Sequence, residues 1–213
     1  MKRFEFPSPL YCITDRTLSL GRSNLLVASA LMDAGVRILQ YREKTLSPRE
    51  RYAECREIRA LAKMHHALFI VNDDIGLALA VSADGVHVGQ HDLPADAVRR
   101  AVGTKMIVGL SIENVHQLAD SAADAADYFG VGPVFATATK DDAAPPLGLE
   151  GLRECVKKAK RPMVAIGGIK EANVRSVMGT GAQCAAIISD IVGAEDIGEK
   201  VGRILGVTEK SFP

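Results

Sequence analysis

The sequence predicts an α/β protein whose eight strands and intervening helices close into one (β/α)8 barrel, the TIM-barrel architecture. Three observations favour this fold class. Eight short apolar runs recur along the 213 residues, helical spacing fills most of the intervals, and small-residue links precede several runs. No linker-like composition divides the chain, so we expect residues 1–213 to form a single domain. A doubly wound open sheet is the main alternative.

The predicted strands are short, and most of them end close to polar residues. They occupy residues 10–14, 36–41, 67–71, 85–88, 106–110, 128–131, 163–166 and 185–188. Two of the intervening segments, 47–64 and 113–126, have the spacing of helices. Residues 137–147 are the most loop-like segment, either a cover over a site or a solvated loop. Active sites in this architecture lie at the carboxyl ends of the strands, so the polar residues there are the candidates.

The composition excludes several classes of partner. The 26 basic residues balance the 26 acidic ones, so there is no general attraction to nucleic acid or to an anionic membrane, and any anion site must be local. No apolar run reaches the roughly 18 residues of a membrane span, and the N-terminal segment lacks the apolar core of a signal peptide. The four scattered cysteines indicate reduced thiols. We therefore expect a cytoplasmic protein.

The second predicted strand ends in one amide and two cations. Gln40, Arg42 and Lys44 are spaced by two residues, which puts all three on one face of an extended chain. Burying unpaired cations is costly, so this pattern predicts an anion at the strand end. The alternative is a solvated strand end whose long side chains reach water.

Carboxylates follow the third and fourth predicted strands. Asp73 and Asp92 stand at equivalent ends of consecutive strands, which are neighbours in a barrel. Two carboxylates without sulfur or clustered imidazole suit Mg²⁺, which keeps water ligands and also binds substrate phosphates. The alternative is structural, because Asp73 or Asp74 could cap the next helix and Asp92 lies close to another cap position.

The fifth and sixth predicted strands lead into hydroxyl groups. Ser111 is either a helix N-cap or a substrate contact. Thr137 and Thr139, at a spacing of two and followed by Lys140, suit a phosphate ligand, although a threonine-rich turn is common.

The last two predicted strands end in small residues. Gly167 and Gly168 let backbone N–H groups approach an anion at a helix N-terminus, and Ser189 follows the eighth strand. The loops after strands seven and eight often bind phosphate in this architecture. The five histidines lack metal-ligand spacing, and we interpret His87 as a barrel-wall residue without a catalytic role.

Taken together, these segments resemble the thiamine-phosphate synthase (thiamine-phosphate pyrophosphorylase) family. The resemblance covers nearly the whole chain, and the order and spacing of its pieces are highly specific. The matching pieces are QYREK (40–44), VNDD (71–74), GVHVGQHDLP (85–94), GLS (109–111), GPVFATATK (132–140), PPLGLEGL (145–152), AIGGI (165–169) and AAIIS (185–189).

The resemblance implies a barrel enzyme that joins 4-amino-2-methyl-5-(diphosphooxymethyl)pyrimidine to 4-methyl-5-(2-phosphooxyethyl)thiazole or its carboxylate, with Mg²⁺ as cofactor. The products are thiamine phosphate and diphosphate. The implied catalytic residues are Arg42, Lys44, Ser111 and Lys140, and the implied metal ligands are Asp73 and Asp92. The implied substrate-binding residues are Gln40, Tyr41, Arg42, Glu43, Lys44, Asn72, Ser111, Thr137, Thr139, Lys140, Gly168, Ile188 and Ser189. A homodimer is left open.

In this family the pyrimidine C–O bond breaks early, so cations and a metal should meet the growing charge of the diphosphate. Two rival readings remain. A related barrel that isomerises the thiazole carboxylate or acts as a regulator would lose the diphosphate and metal residues, which this chain keeps. A non-catalytic phosphate-binding protein would explain the glycines and threonines, but not paired carboxylates beside a basic strand end.

Overall fold

The protein, described at residues 4–139 and 144–208 by a computed structural model, contains a closed barrel of eight parallel strands in sequential order. Each strand pairs with the next, and the last closes on the first with Ala185 opposite Leu10. The predicted (β/α)8 fold class is confirmed. The strands are β1 Leu10–Ile13, β2 Ile38–Tyr41, β3 Leu68–Asn72, β4 Gly85–Val88, β5 Ile107–Ile112, β6 Tyr128–Val131, β7 Met163–Ala165 and β8 Cys184–Ile187.

Helices cover the outside of the barrel. The second helix begins after Ser47, whose hydroxyl accepts a hydrogen bond from the Glu50 N–H while the Glu50 carboxylate accepts one from the Ser47 N–H. The α-helices are α1 Asn24–Asp33, α2 Pro48–Met64, α3 Ile75–Ala80, α4 Ala95–Val102, α5 Gly148–Lys158, α6 Val174–Met178, α7 Ser189–Val192 and α8 Ile197–Thr208. None of the helices in the described ranges is both long and apolar enough to cross a membrane.

The helix predicted over 113–126 is wrong. Two short 3-10 helices, Val115–Ala119 and Ser121–Ala125, connect β5 to β6 instead. The side chain of Asn114 accepts hydrogen bonds from two backbone N–H groups of the first, and Asp120 accepts one from the second. Asp120 therefore starts a new turn where a continuous α-helix would have to pass, as short polar side chains often do.

The strands alternate between two apolar layers. In β2, Ile38 points into the barrel and packs near Tyr11 and Tyr128, whereas Leu39 and Tyr41 belong to the layer between strands and helices. This period of two is the ordinary consequence of a pleated strand. Gln40 is two residues after Ile38 and shares its inward face, so the inward face of β2 changes from apolar to polar toward its carboxyl end.

Candidate active site

A cavity of about 630 Å³ opens at the carboxyl ends of the strands. It brings together nearly all the predicted site residues that the structure describes, because every parallel strand ends at the same face of the barrel. From that set, the cavity is lined by Gln40, Arg42, Lys44, Asn72, Asp73, Asp92, Ser111, Thr137, Thr139, Gly168, Ile188 and Ser189. Lys140 lies outside the described residues.

Tyr41 and Glu43 are placed differently from the rest of the predicted set. The Tyr41 hydroxyl donates to the Glu54 carboxylate of α2 at 2.8 Å, and the Glu43 carboxylate accepts from the Asn24 amide of α1 at 2.8 Å. Neither side chain lines the cavity. Both alternate with the inward series of Gln40 and Arg42, so they face the helices. The expected side-chain contact of Tyr41 and Glu43 with a substrate is therefore not supported by their position.

The cations that follow β2 are paired within the chain. The Arg42 guanidinium lies 2.5 Å from the Asp15 carboxylate, and the Lys44 ammonium lies 2.8 Å from the Asp73 carboxylate. The sequence predicted an anion at this strand end, and the structure shows two carboxylates of the chain itself there; the Lys44 side chain is 57% exposed. Both residues nevertheless line the cavity and keep further N–H donors for an anionic ligand.

Asp73 does not cap a helix. The Asp74 side chain takes that role by accepting a hydrogen bond from the Leu77 N–H at 2.8 Å at the start of α3. Asp73 has a positive φ of 60°, a left-handed conformation that aspartate tolerates better than most residues, and its N–H donates to the His87 carbonyl. The left-handed turn leaves the Asp73 carboxylate free to line the cavity.

Asp92 is also not a helix cap. Its carboxylate accepts a hydrogen bond from the Gly89 N–H at 2.7 Å, and α4 begins after Pro94 without a side-chain cap. Burial raises the pKa of Asp73, and the neighbouring Asp92 carboxylate raises it further, while the Lys44 ammonium lowers it. Asp73 and Asp92 are thus close enough to repel each other, as the sequence predicted.

The pair fits a hard divalent cation. Mutual repulsion of two carboxylates is relieved when a cation lies between them, and Mg²⁺ commonly takes only one or two protein carboxylates. Within residues 4–139 and 144–208 no cluster of three or more acidic, histidine or cysteine side chains is arranged to hold a metal. The remaining ligands would have to come from water and from phosphate oxygens.

A chain of buried hydrogen bonds forms one wall of the cavity. Ser111 lies within β5 and is not a helix cap, and its hydroxyl is 3.0 Å from His87 Nε2. His87 Nδ1 is 3.0 Å from the Tyr128 hydroxyl, which is 2.9 Å from the Tyr11 hydroxyl. The Gln40 amide donates to the Tyr11 hydroxyl at 3.0 Å. Burial lowers the pKa of His87 to about 4, so the ring is neutral at pH 7.

Two glycines make room for these rings. A Cβ added to Gly109 in β5 would overlap both the Tyr128 ring and His87 Nδ1, and one added to Gly130 in β6 would lie 2.9 Å from His87 Cε1. The aromatic groups therefore fill the space that side chains at these two positions would occupy.

The opposite side of the cavity is built from the loops after β6, β7 and β8. The Thr137 and Thr139 hydroxyls lie 3.2 Å apart. Gly168 has a φ of 62°, and a Cβ there would lie 2.6 Å from the Ala136 carbonyl oxygen, so only glycine fits this close approach of two loops. The expected helix N-terminus at the glycine pair is wrong, because α6 begins only at Val174.

Sequence reasoning missed several cavity residues. His87 was interpreted as wall and assigned no catalytic role, and Tyr11 was treated as part of an apolar strand, yet both line the cavity together with Gln90 and Glu113. Inward alternation along β1 and β4 was the signal available for Tyr11 and His87. Their contact through Tyr128 was not visible, because Tyr11 and Tyr128 are 117 residues apart.

Comparisons with known proteins identify the family of the chain. The family model described as thiamine monophosphate synthase matches residues 10–191. The chain belongs to the thiamine monophosphate synthase family. It is 49% identical over 201 residues to the thiamine-phosphate synthase of Pelotomaculum thermopropionicum, covering 94% of this chain and 92% of that one. It is 46% identical over 203 residues to the thiamine-phosphate synthase of Caldicellulosiruptor bescii, covering 95% and 92%.

A solved member of the thiamine monophosphate synthase family has the same fold. The thiamine phosphate pyrophosphorylase from Pyrococcus furiosus superposes with a TM-score of 0.88 at 35% sequence identity, covering 96% of each chain. The family resemblance seen in the sequence motifs is therefore confirmed over almost the whole barrel.

Proposed function

We propose that the protein is a thiamine-phosphate synthase. It would join 4-amino-2-methyl-5-(diphosphooxymethyl)pyrimidine to 4-methyl-5-(2-phosphooxyethyl)thiazole or its 2-carboxylate. The products would be thiamine phosphate and diphosphate, together with CO2 when the carboxylate is the reactant. The observation that carries this proposal is a cavity in which a basic strand end and two adjacent carboxylates face threonine and glycine loops. This arrangement suits two phosphorylated reactants, one on each side of the cavity.

The basic side of the cavity receives the leaving group. When the pyrimidine C–O bond breaks, negative charge grows on the diphosphate while the pyrimidine-methyl group becomes cationic. Arg42 and Lys44 line the cavity where that charge would develop. The family resemblance assigns Lys140, which lies outside the described residues, to the same diphosphate. The thiazole nitrogen then bonds to the methylene carbon. It is already nucleophilic, so no residue is needed to remove a proton from it.

The loop side of the cavity holds the second reactant. Thr137, Thr139, Gly168, Ile188 and Ser189 line this side and offer hydroxyl and backbone N–H groups to a phosphate. Fixing the thiazole by its remote phosphate would leave its nitrogen free to be aimed at the pyrimidine, which lowers the entropic part of the barrier.

Asp73 and Asp92 are the residues that would hold Mg²⁺. When bound, the ion would neutralise charge on the diphosphate. Lys44 contacts Asp73 at 2.8 Å, so its ammonium group lies beside the proposed ion site.

The reaction itself tests the proposal. Purified protein is mixed with the pyrimidine diphosphate, the thiazole phosphate and Mg²⁺, with EDTA in a parallel sample, and product is detected by oxidation to its fluorescent thiochrome. We expect product only in the sample without EDTA. Folded, metal-replete protein that gives no product would contradict the proposal and favour the isomerase or binding-protein alternative. The cytoplasmic location and the homodimer stay predictions.

A further inference from the structure

The buried chain of hydrogen bonds has a direction, because each hydroxyl group in it carries one proton. The Gln40 amide nitrogen can only donate, and it donates to the Tyr11 hydroxyl oxygen. The other recorded partner of that hydroxyl is Tyr128, and Tyr11 is 1% exposed. If the Tyr11 proton did not go to Tyr128, it would be buried without an acceptor, which is unfavourable.

The same reasoning passes along the chain to the cavity. Tyr128 accepts from Tyr11, so its own proton goes to His87 Nδ1, 3.0 Å away. A neutral imidazole that accepts at Nδ1 carries its proton on Nε2, and this N–H then donates to the Ser111 hydroxyl oxygen at 3.0 Å. Ser111 lines the cavity, and its own proton has no recorded partner within the described ranges.

We infer that this polarised chain selects the ring of the substrate. Ser111 presents a hydroxyl donor to the cavity and Gln40 presents its side-chain carbonyl, an acceptor. That pair suits an aromatic ring with an amino donor and a ring nitrogen acceptor. The identity of this ring as an aminopyrimidine rests on the proposed function. Tyr128 acts through His87 and is a positioning residue.

The tautomer of His87 reports the direction of the chain. If the Gln40 amide were turned over, every bond would reverse, His87 would carry its proton on Nδ1, and Ser111 would become an acceptor. Nitrogen-15 NMR distinguishes the two tautomers in ligand-free protein. Replacing the other four histidines with glutamine leaves one imidazole to observe. We expect the Nε2–H form at pH 7.5, and an Nδ1–H signal would overturn the inference.

Two matched variants distinguish an effect on the direction of the hydrogen bonds from an effect on side-chain packing. In Tyr128→Phe the donor to Nδ1 is lost, so we expect the second tautomer to become populated. In Tyr11→Phe the Tyr128 hydroxyl can still donate to Nδ1, so we expect the Nε2–H form to persist. Each variant removes one buried hydroxyl, and a purely structural role would perturb both spectra alike. Equal tautomer populations in the two variants would contradict the assigned role of Tyr128.

Binding measurements test the selectivity. Calorimetric titration compares the pyrimidine diphosphate with an analogue in which C–H replaces the ring nitrogen beside the amino-bearing carbon. We expect the wild-type protein to bind the analogue about tenfold more weakly, because the Ser111 proton then lacks an acceptor, and Tyr128→Phe to reduce this ratio. Equal affinities in the wild type would overturn the selectivity. Failure to bind either compound would overturn the proposed function, while the tautomer still decides the direction of the chain.

Discussion

At the scale of single residues, the adjacent residues Asp73 and Asp74 have different roles. Asp74 caps α3, and Asp73, turned by its positive φ, lines the cavity near Asp92. The sequence left open whether either of the two caps the helix. The decision depends on a left-handed backbone at Asp73, which no local pattern of residues indicates.

The two aspartates offer a matched test of the metal site. We expect Asp73→Asn to raise the Mg²⁺ concentration for half-maximal synthase activity about tenfold or more, because removing one charge beside a cation costs about 1–4 kcal/mol. Asp74→Asn should leave that concentration unchanged, since asparagine also caps helices. A metal titration that is the same for Asp73→Asn and the wild type would remove Asp73 from the metal site.

The lysine of the GPVFATATK segment is a further test at this scale. We expect Lys140→Ala to lower turnover about a hundredfold or more, because one preorganised donor at developing charge is commonly worth that much. The variant should fold normally by circular dichroism. Lys157→Ala, which removes an exposed cation from α5, is the control and should keep full activity. Near-normal turnover of Lys140→Ala would refute the role that we propose for this lysine.

At the scale of elements, hydrogen bonds to the buried Glu43 carboxylate hold the loop between β2 and α2. The Glu43 carboxylate accepts hydrogen bonds from the Thr45 N–H at 2.6 Å, the Thr45 hydroxyl at 2.7 Å and the Leu46 N–H at 3.2 Å. Burial raises the pKa of Glu43, but these bonds and the one from Asn24 outweigh burial, and the net pKa is lowered. Glu43 thereby fixes the segment that carries Arg42 and Lys44.

Glu43→Gln should therefore destabilise the protein and disturb substrate binding. We expect the free energy of unfolding at pH 7 to fall by about 1–3 kcal/mol, with a raised KM for the pyrimidine diphosphate. The lowered pKa means that the ionised carboxylate stabilises the fold above its ordinary pKa near 4.5, and that this stability is lost as the pH falls through the folded value.

The free energies of unfolding of the wild type and of Glu43→Gln, measured by urea denaturation, should accordingly converge below pH 4.5. Glu57→Gln, on the exposed face of α2, is the control and should unfold like the wild type at every pH. A difference between wild type and Glu43→Gln that is independent of pH would show that the lost contacts do not depend on the charge.

Element positions were the most predictable part of the molecule. Strand spacing located all eight strands to within about two residues, since a buried parallel strand is a short apolar run bounded by turn residues. The connection from β5 to β6 was not predictable. Its Ala-rich composition suggests an α-helix, but the side-chain caps of Asn114 and Asp120 favour two 3-10 helices. Tyr41 and Glu43 could have been excluded from the cavity by the same alternation that placed Gln40 there.

At the scale of the whole molecule, barrel closure creates the site. Residues from β1 and β6 meet through the Tyr11 and Tyr128 hydroxyls, and the cavity draws on the ends of strands throughout the chain. The sequence predicted which strand ends would converge, since the architecture fixes it. The buried polar contacts depend on side-chain packing inside the barrel, so they could not be read from spacing.

Ligand binding should therefore stabilise the whole barrel. A ligand present at a hundred times its Kd adds about 2.7 kcal/mol to the free energy of unfolding, if it binds only the folded state. We expect Mg²⁺ and the pyrimidine diphosphate together to raise the Tm by more than the sum of their separate effects, because the phosphate oxygens complete the coordination of the ion. Purely additive shifts in a thermal scan would argue against a shared site.

Gly109 in β5 constrains which residues can stand at positions 87 and 128. The rings of Tyr128 and His87 occupy the space that a Cβ at position 109 would need. A methyl group therefore cannot be added to Gly109 while both rings remain. Among homologous chains, we expect a side chain at position 109 only where one of those rings has become smaller. A change of ring selectivity by mutation would then require a coordinated exchange, and Gly109→Ala alone should be selected against.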